Sequence, residues 1–204
     1  AYCNLGNLLQ MTGKLIDAED CYNKAIQLKP ELVDSYSNLG GLLKEIGRLE
    51  ESKSICMKAI SLNPNYALAY NNLGVTLHEL GDFYEAEINY RKAIELNPQF
   101  SNAYSNLGVT LQKLDKLDEA EENIKEAIKL KPYDIEALFN LGSLFIKSER
   151  FEEAIEVYNS IFSIEPNNYK IYYNIGIFLK DMVFQRPNPK LLLILNHMVD
   201  QKTS

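Results

Sequence analysis

Carboxamides recur in this chain at a fixed interval. Asn4, Asn38, Asn72, Asn106, Asn140 and Asn174 stand 34 residues apart, each followed by Leu-Gly or, at the sixth, by Ile-Gly. A carboxamide offers one acceptor oxygen and two N–H donors, so it can meet the N–H and the C=O of a peptide unit together. That is the chemistry of recognition, not of bond making. Groups for catalysis are sparse. The only histidines, His78 and His197, sit in no metal or triad spacing, and acid pairs such as Glu121-Glu122 recur with the interval as surface residues do. Cys3, Cys21 and Cys56 form no CxxC pair and no metal spacing. No catalytic residue, metal site or cofactor is expected.

A second marker keeps the same stride: Pro30, Pro64, Pro98, Pro132 and Pro166. Two markers in phase mean one supersecondary unit stacked several times, hence a solenoid and not a single globule. In the unit from Val33 to Tyr66, the residues Tyr36, Leu39, Gly40, Leu43 and Ile46 make one apolar helical stripe. Gly47 interrupts it. Leu49, Ser52, Cys56, Ala59, Ile60 and Leu62 make a second stripe, which Asn63-Pro64 stops because proline disfavours helix at the preceding residue. The expected fold is all-α, an α-α superhelix of helix-turn-helix repeats.

Gly40 lies inside a helix, where glycine costs ~1 kcal/mol relative to alanine. Its recurrence implies a packing reason. Small residues twelve positions on (Ala18, Ser52, Ala86, Ala120, Ala154) are the expected partners, and Ala25, Ala59, Ala93 and Ala127 mark a second close contact. Second helices open acidic and close basic (Lys24, Lys58, Arg91-Lys92, Lys125, Lys129), an order that complements the helix dipole.

Across 204 residues, 46% are hydrophobic and 24% charged, with a net charge of -7. The acidic balance argues against nucleic acid or an acidic membrane as partner, since both call for a basic footprint. The longest apolar run, Leu191 to Leu195, is far too short to span a membrane. Cys21 and Cys56 fall where other repeats carry apolar or aromatic residues. Buried free thiols in a reducing, cytoplasmic setting follow. Ala1 stands within a helix pattern already under way, so an excised segment of a longer protein is expected.

These residues resemble the tetratricopeptide repeat. Its pattern of aromatic, Leu-Gly, Ala, aromatic, Ala and Pro is matched by Tyr70, Leu73-Gly74, Ala86, Tyr90, Ala93 and Pro98. The resemblance implies antiparallel helix pairs wound into a superhelix, with first helices on the concave face. Residues 1–182 are expected to form the array, five repeats and the first helix of a sixth. Residues 183–204 are expected to form a capping helix, from Pro189 to about Asp200, and a tail. In the inter-helix turn, Gly13, Gly47 and Gly81 give way to Asp115 and Glu149.

Each asparagine points away from the helix-pair contact and, by the resemblance, into the concave groove. Neighbouring first helices lie ~10 Å apart and an extended peptide advances ~3.3 Å per residue, so one asparagine meets every third peptide residue. The superhelix of O-linked N-acetylglucosamine transferase is similar in carrying such a ladder. The position also suits a merely tolerated polar residue with solvent on one side. Ser37, Gly41, Asn71, Val75, Ser105, Val109, Phe139, Ser143, Tyr173 and Ile177 are expected to share the groove. Phe139 and Tyr173 form either an apolar anchor pocket or packing for the C-terminal helix. The partner is expected to be a protein or peptide held in extended form. No chaperone carboxylate clamp is expected, because Cys3, Leu68 and Asn72 stand where the family's clamp needs other residues. The tail resembles the stretch that precedes a transferase-type domain in some marine bacterial proteins. The alternative reading is therefore a substrate-recruiting arm of a larger transferase.

Overall fold

The computed structural model describes residues 1–165, and within them the chain forms ten α-helices and no strand. They come in five pairs: α1 (Tyr2–Met11) with α2 (Leu15–Leu28), α3 (Val33–Glu45) with α4 (Leu49–Leu62), α5 (Ala67–Leu80) with α6 (Phe83–Leu96), α7 (Ser101–Lys113) with α8 (Leu117–Leu130), and α9 (Ile135–Lys147) with α10 (Phe151–Ile164). Each helix packs on its partner, α1 to α9 also pack on a neighbouring pair, and the first helices touch across repeats, α1 with α3 and so on to α9. The result is a superhelix of helix-turn-helix repeats. The expected sixth repeat, the helix from Pro189, and Tyr173, Asn174 and Ile177 lie outside the described residues.

The turns within pairs show why glycine is tolerated but not required. Gly13, Gly47 and Gly81 take φ of 75°, 80° and 86°, and Asp115 and Glu149 keep the same left-handed conformation at 60° and 57°. A side chain there is strained by roughly 1–2 kcal/mol. At Asp115 the neighbouring repeat compensates, because Lys147 Nζ donates to Gln112 O at 2.7 Å and to Asp115 Oδ1 at 3.1 Å. After α4 and α6 the chain turns at Asn-Pro. There the Asn63 and Asn97 side chains accept from the backbone N–H of Asn65 (3.0 Å) and Gln99 (3.1 Å).

The recurrent helix glycine is a notch for an aromatic, branched or thiol side chain. A β-carbon at Gly6 would lie 2.5 Å from Tyr22, at Gly40 2.5 Å from Cys56 Sγ, at Gly74 2.7 Å from Tyr90 and at Gly142 2.7 Å from Tyr158, while Gly108 faces Ile124 just as closely. The group that fills the notch is thus sixteen residues on. The small residues twelve positions on are fully buried beside it, and Ser52 Oγ donates to Gly40 O at 2.8 Å. Helix crossing explains the correction: the longer side chain one turn further along reaches back over the glycine, and the smaller one lets the backbones close. The second alanine column, Ala25, Ala59, Ala93 and Ala127, is buried as expected, and so are all three free cysteines.

Basic residues of the second helices do not serve the dipole as expected. The helices run on to Leu28, Leu62, Leu96 and Leu130, and only α8 has a base, Lys129, in its last turn. Other bases, at or near the starts of the second helices, pair with acids across the junctions. Arg48 reaches Glu19 (2.7 Å), Lys116 reaches Glu87 (2.8 Å), Arg150 reaches Glu121, and between the second and third repeats the signs are reversed, with Lys53 lying 3.9 Å from Asp82. All four pairs span the same 29-residue step. Arg91 adds a further link to Glu119 at 2.5 Å.

Candidate functional site

First helices alone line the larger of two adjoining concave depressions. It measures about 520 Å³ and runs from Gln10 on α1 to Glu136 on α9, with Asn72, Asn106, Val75 and Glu79 on its wall. The smaller, of about 430 Å³, is bounded by Asn7, Tyr22 and Asn38 and shares Gln10 and Glu45 with the larger.

Asn38, Asn72, Asn106 and Asn140 are half-buried, the first lining the smaller depression and the next two the larger, and each also joins two repeats. Asn72 Nδ2 donates to Ser37 O at 3.0 Å and to Ser37 Oγ at 3.1 Å. Asn106 donates to Asn71 Oδ1 and Asn140 to Ser105 Oγ, both at 3.1 Å. Asn38 donates to Asn7 Oδ1 at 2.7 Å and to Cys3 Sγ at 3.4 Å. Asn4 is exposed, and no preceding repeat faces it among the described residues. The four carboxamides therefore form a seam that reaches back 35 residues. Among the described residues no donor reaches the Oδ1 atoms of Asn38, Asn72, Asn106 or Asn140.

This geometry changes two expectations. The amide cannot offer both its donors and its acceptor to a peptide, because its nitrogen is already engaged with the preceding helix. Ser37 and Ser105, expected as open groove residues, are buried in the seam, whereas Asn71, itself largely buried, does line the larger depression. The two serines stand one residue before an asparagine, where the rise of the stack turns them toward the next repeat and not toward the groove. Gly41 and Val75 do line the groove. The recurrence of hydrogen-bonding types at positions 37, 71 and 105 was the available signal for the seam, and reading it needed the spacing of adjacent first helices. Phe139 is half-buried and tilts against Tyr158 of its own repeat, with ring centroids 5.8 Å apart. Tyr173 and the C-terminal helix, which enter the two uses expected for it, lie outside the described residues.

The wall is richer in acid than in base. Glu45, Glu79 and Glu136 line the larger depression with Lys44, whose Nζ is 3.8 Å from Glu79. Gln10 Nε2 donates to Glu45 at 2.7 Å. Under the smaller depression the Tyr22 hydroxyl sits 2.8 Å from Asn7 Oδ1 and 2.9 Å from Gln10 Oε1. Burial, followed by the nearby Cys3, Cys21 and Glu45, pushes its pKa up to about 12. His78 Nδ1 is 2.9 Å from Thr110 Oγ1. The Thr110 hydroxyl donates to Asn106 O at 2.9 Å, so the His78 Nδ1 carries the proton of that contact. Burial, reinforced by Lys113, lowers the His78 pKa against the opposing pull of Glu79. Among the described residues no group of side chains is arranged to hold a metal ion, and no helix is long and apolar enough to cross a membrane.

Solved structures share this architecture. MamA is 24% identical, with 81% of this chain and 96% of that one covered and a TM-score of 0.67. TTC0263, a thermophilic tetratricopeptide protein of Thermus thermophilus, is 20% identical, with 87% and 97% covered and a TM-score of 0.76. YrrB, described as a tetratricopeptide protein with an unusual peptide-binding site, is 24% identical, with 86% and 90% covered and a TM-score of 0.65. At these identities the likeness concerns the fold. Among curated protein sequences nothing matches this chain. Models of the tetratricopeptide repeat match residues 1–32 and 67–100, 33–66, 89–122 and 116–175. With its 34-residue helix pairs, glycine notches and these matches, the chain belongs to the tetratricopeptide repeat family, whose repeats typically serve protein–protein interaction.

Proposed function

We infer that the protein holds an extended peptide segment of a partner along its concave face, as a non-catalytic interaction module. The observation that carries this reading is the row of half-buried asparagines from Asn38 to Asn140, whose Oδ1 atoms no donor reaches among the described residues, with Asn38, Asn72 and Asn106 lining the two depressions. Spaced at the repeat pitch, these oxygens can accept from backbone N–H groups about every third residue of an extended chain. Each such bond nets ~0.5–1.5 kcal/mol, whereas association costs ~4–15 kcal/mol. The row therefore sets register and direction, and side-chain contacts supply the remaining affinity. The peptide-binding site of YrrB agrees with such a use of the fold.

Selection of random displayed peptides on the wild-type protein tests the reading. Enriched peptides are expected to lose affinity in the Asn72→Ala/Asn106→Ala variant, measured well below its melting temperature with helicity unchanged. They are expected to keep their affinity in Tyr84→Ala, which alters an exposed side chain of the second-helix layer. Peptides that bind the asparagine variant as tightly as wild type would place the binding surface elsewhere.

A further inference from the structure

We propose that the groove selects donor-rich segments, namely extended chains carrying two lysine or arginine residues three positions apart. This rests on the groove reading above and narrows it to a class of partner. The seam polarises the ladder. At Asn38 and Asn72 the amide nitrogen has two acceptors on the preceding repeat, so the group left toward the groove is the oxygen; at Asn106 and Asn140 it has one, which leaves the oxygen and a single N–H. A wall richer in acceptors than in donors suits N–H and ammonium groups better than carbonyls and carboxylates.

Formal charge points the same way. Glu45, Glu79 and Glu136 stand on the wall of the larger depression against Lys44 alone, and Lys44 already lies beside Glu79. Glu45 and Glu79 occupy the same register position on neighbouring first helices, α3 and α5. Such helices run ~10 Å apart, a distance that ~3 residues of extended chain cover. Two cations at that spacing can meet both carboxylates while the intervening backbone passes Asn72. On α7 and α9 the same register position holds Lys113 and Lys147. The paired carboxylates at this register are thereby confined to the first half of the groove, which favours one direction for a segment that carries paired cations.

Three labelled, blocked peptides of about twelve serine and glycine residues, enough to cross ~40 Å of groove, test this. One carries two lysines three positions apart, one carries two glutamates instead, and one is uncharged. By fluorescence anisotropy at low salt, the lysine peptide is expected to bind about tenfold more tightly than the glutamate peptide, with the uncharged one between. Salt is expected to narrow the gap. The Glu45→Gln/Glu79→Gln variant, with circular dichroism unchanged, is expected to abolish it. Equal binding of the lysine and glutamate peptides, both weakened in Asn72→Ala/Asn106→Ala, overturns the donor preference and leaves the groove reading standing. A lysine preference that survives the double glutamine change places the attraction elsewhere on the acidic surface and also overturns the proposal. Failure of all three peptides to bind overturns the proposal together with the groove reading for segments of this kind.

Discussion

Gly40 and Gly41 are adjacent in α3, yet they answer to different constraints. A β-carbon at Gly40 would meet Cys56 Sγ at 2.5 Å, whereas at Gly41 its nearest contact is Asn72 Nδ2 at an ordinary 3.8 Å. Gly41→Ala is expected to stabilise by up to ~1 kcal/mol through helix propensity. Gly40→Ala is expected to destabilise by ~1–3 kcal/mol through overpacking that outweighs the same gain. Urea unfolding of both variants checks the pair, and equal shifts would refute the notch. The 34-residue stride marked Gly40 and passed over Gly41, so the distinction was legible. The group filling the notch was not, because helix crossing decides between the residue twelve positions on and the one sixteen positions on. His78 gives a second test. Its folded pKa is lowered by burial, so its stabilising contribution is present above the unfolded value of ~6.5 and is lost as pH falls below it. The wild-type urea midpoint is expected to drop more than that of His78→Gln between about pH 7 and about pH 5.

At the scale of helices, the junctions are held by apolar columns inside, carboxamides on the concave side and ion pairs among the second helices. Glu87 is the most enclosed of the acids, 8% exposed, and takes hydrogen bonds from Arg91 and Lys116. Burial pushes its carboxyl pKa up, but those bonds and charges outweigh it and hold the pKa below its ordinary value. A depressed folded pKa contributes stability above the unfolded value, ~4.3 for glutamate, that is lost as pH falls through the folded one. Glu87→Gln is expected to cost ~1–2 kcal/mol near neutrality and to flatten the loss of stability in acid below about pH 4.3. Thermal melts across that range read both effects. Helix pairing, turn positions and the buried alanines were readable from period and residue type. The double use of the asparagines was not, because one residue's periodicity says nothing of which neighbour its amide faces. The bases of the second helices misled for a related reason: their spacing suits the dipole, but the helices run a turn further.

Among the described residues, each unit packs on its neighbours in the stack, so stability adds along it. Gly142→Ala presses on Tyr158 in the fifth repeat. It is expected to speed amide exchange in α9 and α10 while leaving protection in α1 to α4 unchanged. Exchange followed by mass spectrometry would expose a single cooperative unit if all helices accelerated together. The sign reversal at Lys53–Asp82 has a consequence of another kind. Tandem units are prone to loss of one whole copy by unequal recombination, and most such deletions in a regular array restack without conflict. Loss of the second unit here would set Glu19 against Asp82, and loss of the third would set Lys53 against Lys116. Loss of the fourth would set Glu87 against Arg150, which attract. The early units thus carry a polarity key against shortening that the later ones lack.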